Sequence, residues 1–281
     1  SRSRLSASER PTVPSIFLHE LPEALIATVE PIEAREDTNK RLAEEELVPA
    51  VTGNKEITSW IENILQGYVM SVTHLNHYLE DPHLFYTRHI LRLPSVRSVH
   101  QAMGTATHNA LDDFFRVAAE KKKLPAKSLL LDRFEYHLER EALTKQEHVD
   151  VLEVGTQQLG QYFDFYQSDF LLDTIGEYDF RSHNVRVGEV PVTGKIDKLE
   201  MLGDKQVNVV DYKTGAPKKG LTRLKPGKDY HRQIVFYALL CEHSTQFEYE
   251  MVSGEVDFIR PDENGKFVKK KIEVTQKDKD E

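Results

Sequence analysis

The chain has 281 residues, of which 39% are apolar and 30% charged, and its formal net charge is −9 at pH 7. This length can bury the core of one large domain, or of one domain with an appendage. No apolar run approaches the roughly 20 residues of a membrane span. The single cysteine, Cys241, excludes disulfide frameworks, cysteine-only zinc sites and iron–sulfur clusters, and indicates a reducing cytoplasm. The negative charge argues against tight general binding of nucleic acid, which would need a local basic patch.

The first 68 residues are predicted to be an appendage to a domain at residues 69–281. Prolines and serines in residues 1–22 predict an extended arm with a short apolar plug at residues 16–18 and 21. Residues 23–47 are acidic and compatible with a helix, which is typical of a solvated face or a linker. Residues 56–66 predict a short amphipathic helix. The chain does not begin with Met, and we expect it to be cut from a longer protein.

Helices are predicted over most of the next hundred residues. Ser71 is a suitable N-cap for a helix that Pro82 breaks or restarts, with an apolar stripe that continues to residue 91. Helices follow at 104–123, 126–143 and 146–172. In the first of these, His108 shares the buried face with Leu111 and Phe115. Taken alone, a histidine on such a face is more often a core residue than a metal ligand.

After Gly176 the apolar period changes to two, which predicts antiparallel strands in residues 177–187, 189–201 and 206–214, with a turn at Gly203 and Asp204. A helix is predicted at 229–243, a second hairpin from strands at 255–261 and 266–274, and a disordered charged tail at 275–281. Helices followed by strands, a helix and more strands predict an α+β fold with a mixed central sheet flanked by helices.

The hairpin from Gly194 to Gly215 carries the residues with the clearest chemical pattern. Alternation on its second strand puts Asp211 and Lys213 on one face, after two valines that belong in the core. Asp197 lies on the first strand, and the hairpin can bring the two carboxylates close together. Close carboxylates repel, and a hard divalent cation such as Mg²⁺ or Mn²⁺ commonly resolves the repulsion. The alternative is an Asp–Lys ion pair at the edge of a sheet.

Two features downstream of this hairpin extend the pattern. On the helix at 229–243, Gln233 and Tyr237 share one face at a spacing of four residues. The loop before that helix concentrates positive charge in a chain of net charge −9, and this suits a phosphate backbone. A solvated loop is the alternative. The basic residues are Lys218, Lys219, Arg223, Lys225, Lys228 and Arg232.

The ordered motifs G-x-x-D (194–197), D-x-K-T-G (211–215) and Q-x-x-x-Y (233–237) resemble the signature of RecB-like nucleases in the PD-(D/E)XK superfamily. The G-T-x-x-H sequence that ends at His108 is similar to the histidine-bearing helix of that family, and residues 71–93 resemble its opening segment. The resemblance implies a restriction-endonuclease-like fold. Asp81 stands where some relatives have a cluster-binding cysteine, which implies the type without an iron–sulfur cluster.

The resemblance also implies a role for each matching residue. His108, Asp197, Asp211 and the main-chain carbonyl of Tyr212 would bind Mg²⁺ or Mn²⁺. Lys213 would orient or help deprotonate the attacking water and stabilise the transition state. The remaining two, Gln233 and Tyr237, would position the DNA strand or brace Lys213.

The sequence SIFLHELP, at residues 15–22, resembles the segment after the last motor motif of UvrD-like superfamily 1 helicases. This implies the C-terminal part of a helicase–nuclease, although the chain has no Walker A sequence and is not expected to hydrolyse ATP. The expected function is metal-dependent hydrolysis of DNA, chiefly of single strands that the motor delivers, in repair or recombination. A catalytically silent module that guides DNA or docks a protein is one alternative, and an RNA-directed or standalone nuclease is another.

Overall fold

A five-stranded mixed sheet forms the centre of the computed structural model, which describes residues 55–95 and 97–281. The strand order is β1-β4-β5-β6-β7, and only β5 and β6 pair in parallel. The short strands β2 and β3 form a separate pair. The predicted mixed sheet is therefore confirmed. The strands are β1 Thr174–Asp179, β2 Arg186–Val187, β3 Val190–Pro191, β4 Lys195–Gly203, β5 Gln206–Lys213, β6 Glu250–Phe258 and β7 Val268–Ile272.

The predicted hairpin is the pair β4–β5, in which Lys198 lies opposite Val210. The predicted turn at Gly203 and Asp204 was one residue too early: the turn residues are Asp204 and Lys205, which both have positive φ, 48° and 61°. Two-residue turns with positive φ at both positions match the right-handed twist of the strands they join. Along β5, as in any β-strand, every second side chain faces the same side of the sheet.

Helices cover both faces of the sheet, as predicted, and several begin at residues that the sequence could identify. Ser71, Ser98 and Thr144 each cap a helix by accepting a hydrogen bond from a backbone N–H of the first turn. The helices are α1 Lys55–Gln66, α2 Val72–Glu80, α3 Pro82–Phe85, α4 Val99–Lys121, α5 Lys127–Leu138, α6 Lys145–Tyr166, α7 Pro217–Thr222, α8 Asp229–His243 and α9 Gln276–Asp280, with a π-helical turn at Tyr86–Ile90 after α3.

Three predicted helix boundaries were wrong. The helix predicted from residue 104 begins at Val99 because Ser98 is its cap, and the two predicted to end at residues 143 and 172 end at Leu138 and Tyr166. The predicted disorder of the tail was also wrong. Thr275 and Asp278 form a capping box that starts α9.

Two hydrophobic cores lie on the two sides of β5. On one side Val207 and Val209 pack with Ile234 and Leu240 of α8. On the other side Val210 and Tyr212 pack with side chains of α4 and α6, among them Leu111, Phe115 and Leu159. The predicted alternation along β5 is confirmed.

Two units divide the chain, Ser1–Thr58 and Ser59–Glu281. Only residues 55–58 of the first are described, so the predicted arm at 1–22 and acidic run at 23–47 lie outside the described residues. Over residues 55–95 and 97–281, every helix is too short or too polar to cross a bilayer.

Candidate active site

Asp211 and Lys213 lie at the end of β5, where the strand leaves the core beneath α8. The Lys213 ammonium is 2.7 Å from Asp211 Oδ2 and donates a hydrogen bond of 2.8 Å to Gln233 Oε1. Gln233 Nε2 donates to the Tyr237 hydroxyl at 2.8 Å, and that hydroxyl donates to Asp211 Oδ1 at 3.3 Å. The four side chains therefore form a closed ring of contacts, which fixes the Lys213 ammonium in one position.

One carboxylate of this ring is almost fully buried. Asp211 is 1% exposed, and the Lys213 ammonium lies 2.7 Å from its Oδ2 atom. A buried carboxylate is costly unless it is paired with a positive charge. Lys213 supplies that charge.

Asp197 and His108 form the neighbouring part of the site. His108 Nδ1, on α4, is 3.3 Å from Asp197 Oδ1, and the backbone N–H of Tyr212 donates to Asp197 Oδ2 at 2.8 Å. Their side chains are 27% and 14% exposed, so solvent reaches both. Gly194 precedes β4, and a Cβ there would lie 2.7 Å from Leu240 Cδ1 of α8. Glycine at this position allows the strand that carries Asp197 to begin against α8.

The charges of the site shift one another's pKa values. Burial raises the pKa of Asp211, and the Asp197 carboxylate adds to the increase, although the Lys213 ammonium opposes it. Burial would raise the pKa of Asp197 too, but the His108 imidazole, the Lys213 ammonium and the hydrogen bond from the Tyr212 N–H together outweigh burial and lower it. Burial would lower the pKa of Lys213, but the Asp211 and Asp197 carboxylates and Tyr230 together raise it. Lys213 therefore stays charged at neutral pH.

A third acidic residue joins this site. One potential ligand atom each of His108, Glu177 and Asp197 lies within 4.8 Å of the other two, and within the described part of the chain this is the group of three side chains that could hold a metal ion. The sequence predicted Asp211 with His108 and Asp197, and did not predict Glu177. The signal was weak: Glu177 lies on β1, which reaches β4 only after the excursion through β2 and β3.

The predicted basic loop is divided by its ion pairs. Arg223 pairs with Asp229, and Lys218 lies 3.3 Å from Glu263. Arg232 donates to Asn76 Oδ1 at 2.5 Å and to the carbonyl oxygen of Gly227 at 2.6 Å. Three exposed lysines of the loop have no ion pair within residues 55–95 and 97–281: Lys219, Lys225 and Lys228.

The mixed sheet thus brings two carboxylates and a lysine together at one end of the β4–β5 hairpin. A family model described as the PD-(D/E)XK nuclease superfamily matches residues 69–281, and the chain belongs to this superfamily. Among curated proteins, none matches the chain. A solved structure described as the crystal structure of SSO0001 is 14% identical to this chain, with a TM-score of 0.28. The alignment covers 74% of this chain and 80% of the chain in that structure. So low a TM-score adds nothing to the family match.

Proposed function

We propose that this chain is a metal-dependent deoxyribonuclease that hydrolyses phosphodiester bonds of single-stranded DNA. We further propose that it is RecB-like and acts in the cytoplasm with a superfamily 1 helicase motor in DNA repair or recombination. The observation that carries the proposed activity is the ring of contacts that holds Lys213 between Asp211 and Gln233. Such a ring holds a charged hydrogen-bond donor beside a carboxylate. The side chains therefore lose little conformational freedom when the reaction begins.

The donors of the site fit Mg²⁺ or Mn²⁺. His108, Asp197, Asp211 and the carbonyl of Tyr212 would hold the ion, and they offer the oxygen and imidazole donors that such ions accept. The bound ion would polarise the scissile phosphate and lower the pKa of a water molecule.

Lys213 supplies the positive charge that the protein, as distinct from the metal ion, brings to the reaction. Because its pKa is raised, the ammonium orients the attacking water by hydrogen bonding and stabilises the negative charge that grows on the phosphate oxygens. The water releases one proton to the solvent as its oxygen forms a bond to phosphorus, the bond from phosphorus to the leaving oxygen breaks, and the leaving oxygen takes up a proton from the solvent. Gln233 and Tyr237 keep the ammonium in place and are positioning residues.

The loop lysines support binding of the DNA backbone. Lys219, Lys225 and Lys228 are exposed and without ion pairs among the described residues, so their charge is available to phosphates. Lys218, Arg223 and Arg232 already have protein partners and would contribute less. The partnership with a helicase motor is supported by the helicase-like sequence at residues 15–22.

The test is to incubate the purified chain with labelled single-stranded DNA, double-stranded DNA and RNA, each with Mg²⁺, with Mn²⁺ and with EDTA. We expect cleavage of single-stranded DNA that requires the metal. Asp211→Ala and Lys213→Ala should each lower the rate by at least about 10²-fold. The exposed residues Asp150 and Lys145 of α6 give matched controls, Asp150→Ala and Lys145→Ala, which should cleave at the normal rate.

Other outcomes would contradict the proposal. Preferential cleavage of RNA would replace DNA as the substrate. If no nucleic acid were cut with either metal, a module that guides DNA or docks a protein would be favoured. Cleavage by Asp211→Ala and Lys213→Ala at the rate of the controls would mean that the reaction occurs elsewhere.

A further inference from the structure

We propose that Glu177 binds the divalent cation together with His108 and Asp197, and that Lys195 holds the Glu177 carboxylate until the cation displaces it. This inference rests on the proposed metal-dependent activity and extends its metal site by one residue. Glu177 lies outside the motifs G-x-x-D, D-x-K-T-G and Q-x-x-x-Y that the sequence pattern singles out.

The distances among the ligand atoms favour this assignment. One donor atom each of His108, Glu177 and Asp197 lies within 4.8 Å of the other two. Around an octahedral Mg²⁺ with bonds of about 2.1 Å, ligand atoms are about 3–4 Å apart. Small side-chain movements therefore bring all three atoms onto one cation. Asp211 is not in this group of donor atoms, and its carboxylate contacts Lys213 and Tyr237.

The backbone directs Glu177 toward Asp197. Glu177 has a φ of 50°, which is uncommon for any residue other than glycine. On β1 its neighbour Gly176 pairs with Lys198 of β4, and its other neighbour Tyr178 pairs with Ile196. Asp197 is therefore the residue of β4 that lies opposite Glu177. Gly176 allows the close approach of α4, since a Cβ at this position would lie 1.9 Å from Asp112 Oδ1. A left-handed conformation inside a strand persists only where the surroundings hold it, and such residues are concentrated at functional sites.

The partner of Glu177 is a cation that can leave. Lys195 forms an ion pair with Glu177, and the two side chains are 50% and 20% exposed. A lysine ammonium on a flexible, half-exposed chain is readily hydrated. Its departure leaves the carboxylate free for a divalent cation, which binds an anionic oxygen more strongly than a single charge does. Within the described ranges, Glu177 has no other ion pair.

A purely structural role is the competing explanation. In that case the Glu177–Lys195 pair would only tie β1 to β4, and the metal would not contact Glu177. The two accounts differ in what they expect of Lys195. If Lys195 competes with the cation for Glu177, Lys195→Met strengthens metal binding more in the unaltered chain than in Glu177→Gln. If the pair is structural, removal of the Lys195 charge changes metal binding by the same factor in both backgrounds.

The experiment is isothermal titration of the complete 281-residue chain with Mn²⁺ and with Ca²⁺, in the absence of DNA. We expect Glu177→Gln to weaken binding by about tenfold or more, as loss of a ligand should cost at least as much as loss of its supporting contact. We expect Lys195→Met to strengthen binding about threefold. In the unaltered chain Lys195 occupies the Glu177 carboxylate in part of the molecules, and this lowers the apparent affinity for the metal ion. Glu189→Gln, at a fully exposed glutamate between β2 and β3, is the matched control and should bind normally. Circular dichroism checks that each variant is folded.

The outcomes separate this inference from the proposed function. If the unaltered chain binds Mn²⁺ and Glu177→Gln binds it equally well, Glu177 is not a ligand while the nuclease proposal stands. If Lys195→Met weakens binding, or changes it by the same factor in Glu177→Gln as in the unaltered chain, the competition between Lys195 and the cation is refuted. If the unaltered chain binds neither ion, the proposed metal dependence fails together with this inference.

Discussion

Two clusters of charged side chains lie on opposite sides of the same strands, and they differ in their access to solvent. Asp197 belongs to the candidate active site, while its neighbour Lys198 points to the other side, over the rings of Phe115 and Tyr212. Lys198 Nζ is 2.7 Å from Glu200 Oε1, the same separation as between Lys213 and Asp211. Each cluster thus contains a lysine–carboxylate pair two residues apart on one strand, Lys198–Glu200 on β4 and Asp211–Lys213 on β5.

The second cluster, which we call the sealed network, extends across four strands and one helix. Asn208 donates to Glu200 at 2.9 Å and accepts from Ser253 at 2.7 Å. The Tyr162 hydroxyl donates to Asp257 at 2.5 Å, and Lys269 is 3.1 Å from the same carboxylate. The members of the sealed network are Tyr162, Lys198, Glu200, Asn208, Ser253, Glu255, Asp257 and Lys269.

Buried, paired carboxylates do not distinguish the two clusters. Asp257 is 0% exposed and 3.1 Å from Lys269, and Asp211 is 1% exposed and 2.7 Å from Lys213. Access differs at the centre of each cluster: the side chain of Lys198 is 2% exposed, whereas those of His108 and Asp197 are 27% and 14% exposed. Lys269, at the rim of the sealed network, is 22% exposed. The candidate site also has three donor atoms within 4.8 Å of one another. Accessible, convergent donor atoms favour the candidate site as the functional cluster, whereas buried charge alone does not.

The strongest test of this comparison replaces the lysine of each cluster, in separate variants, by methionine, an apolar residue of similar length. Lys213→Met is expected to lower the rate constant of DNA cleavage by about 10²–10³-fold, because it removes the donor that stabilises charge in the transition state. The control is the double variant Lys198→Met/Glu200→Met, which should cleave within about threefold of the normal rate because it does not touch the ring around Lys213. Steady-state cleavage of labelled single-stranded DNA measures both. An equal loss in the two variants would contradict the distinction.

Local patterns predicted the parts of the molecule that depend on a single element. Alternation along β5 predicted Asp211 and Lys213 on one face, and the helical period predicted Gln233 beside Tyr237. The contacts of 2.8 Å from Lys213 to Gln233 and from Gln233 to Tyr237 agree with both. The mixed sheet followed from the order of the elements. The cap at Ser98 was also readable and would have corrected the start of α4.

Parts that depend on long-range pairing could not be predicted from the sequence. Glu177 faces Asp197 only because β1 pairs with β4 after an intervening excursion, and because its own φ of 50° departs from that of a regular strand. The sealed network was missed for a related reason. The alternation of β4 and β5 shows that Lys198 faces away from Asp197, but not that β6 and β7 bring Asp257 and Lys269 to the same side.

The sealed network should contribute to stability rather than to catalysis. Burial alone would raise the pKa of Glu200, but the Lys198 ammonium and the Asn208 amide hold it below its usual range. Lys198→Met leaves this carboxylate buried without its cation, and should lower the free energy of unfolding by about 3 kcal/mol. The double variant Lys198→Met/Glu200→Met should recover most of that loss, since it buries no charge at either position. Urea unfolding followed by circular dichroism measures both, and a double variant no more stable than Lys198→Met would contradict the expectation.

A third cluster, of the imidazoles of His74, His77 and His89, gives the smallest expected effect. His77 Nδ1 and His89 Nε2 are 2.7 Å apart, and the rings of His74 and His89 are 4.3 Å apart. Burial and the neighbouring imidazoles and Arg88 lower the pKa of His89 from 6.5 to about 4. Below pH 6.5 the unfolded chain binds a proton that the folded chain does not, so stability is lost as the pH falls toward 4.

His89→Gln removes this titration and tests its sign. Between pH 7 and pH 5 the unaltered chain should lose about 0.5 kcal/mol more stability than His89→Gln, a small value because His89 is partly open to solvent, which screens its charge. The control is His243→Gln at the exposed end of α8, which should follow the unaltered chain. Urea unfolding at both pH values measures the difference. If His89→Gln lost more stability on acidification than the unaltered chain, protonated His89 would have to be favoured by folding, and the imidazoles would form a proton-binding cluster instead of a neutral one.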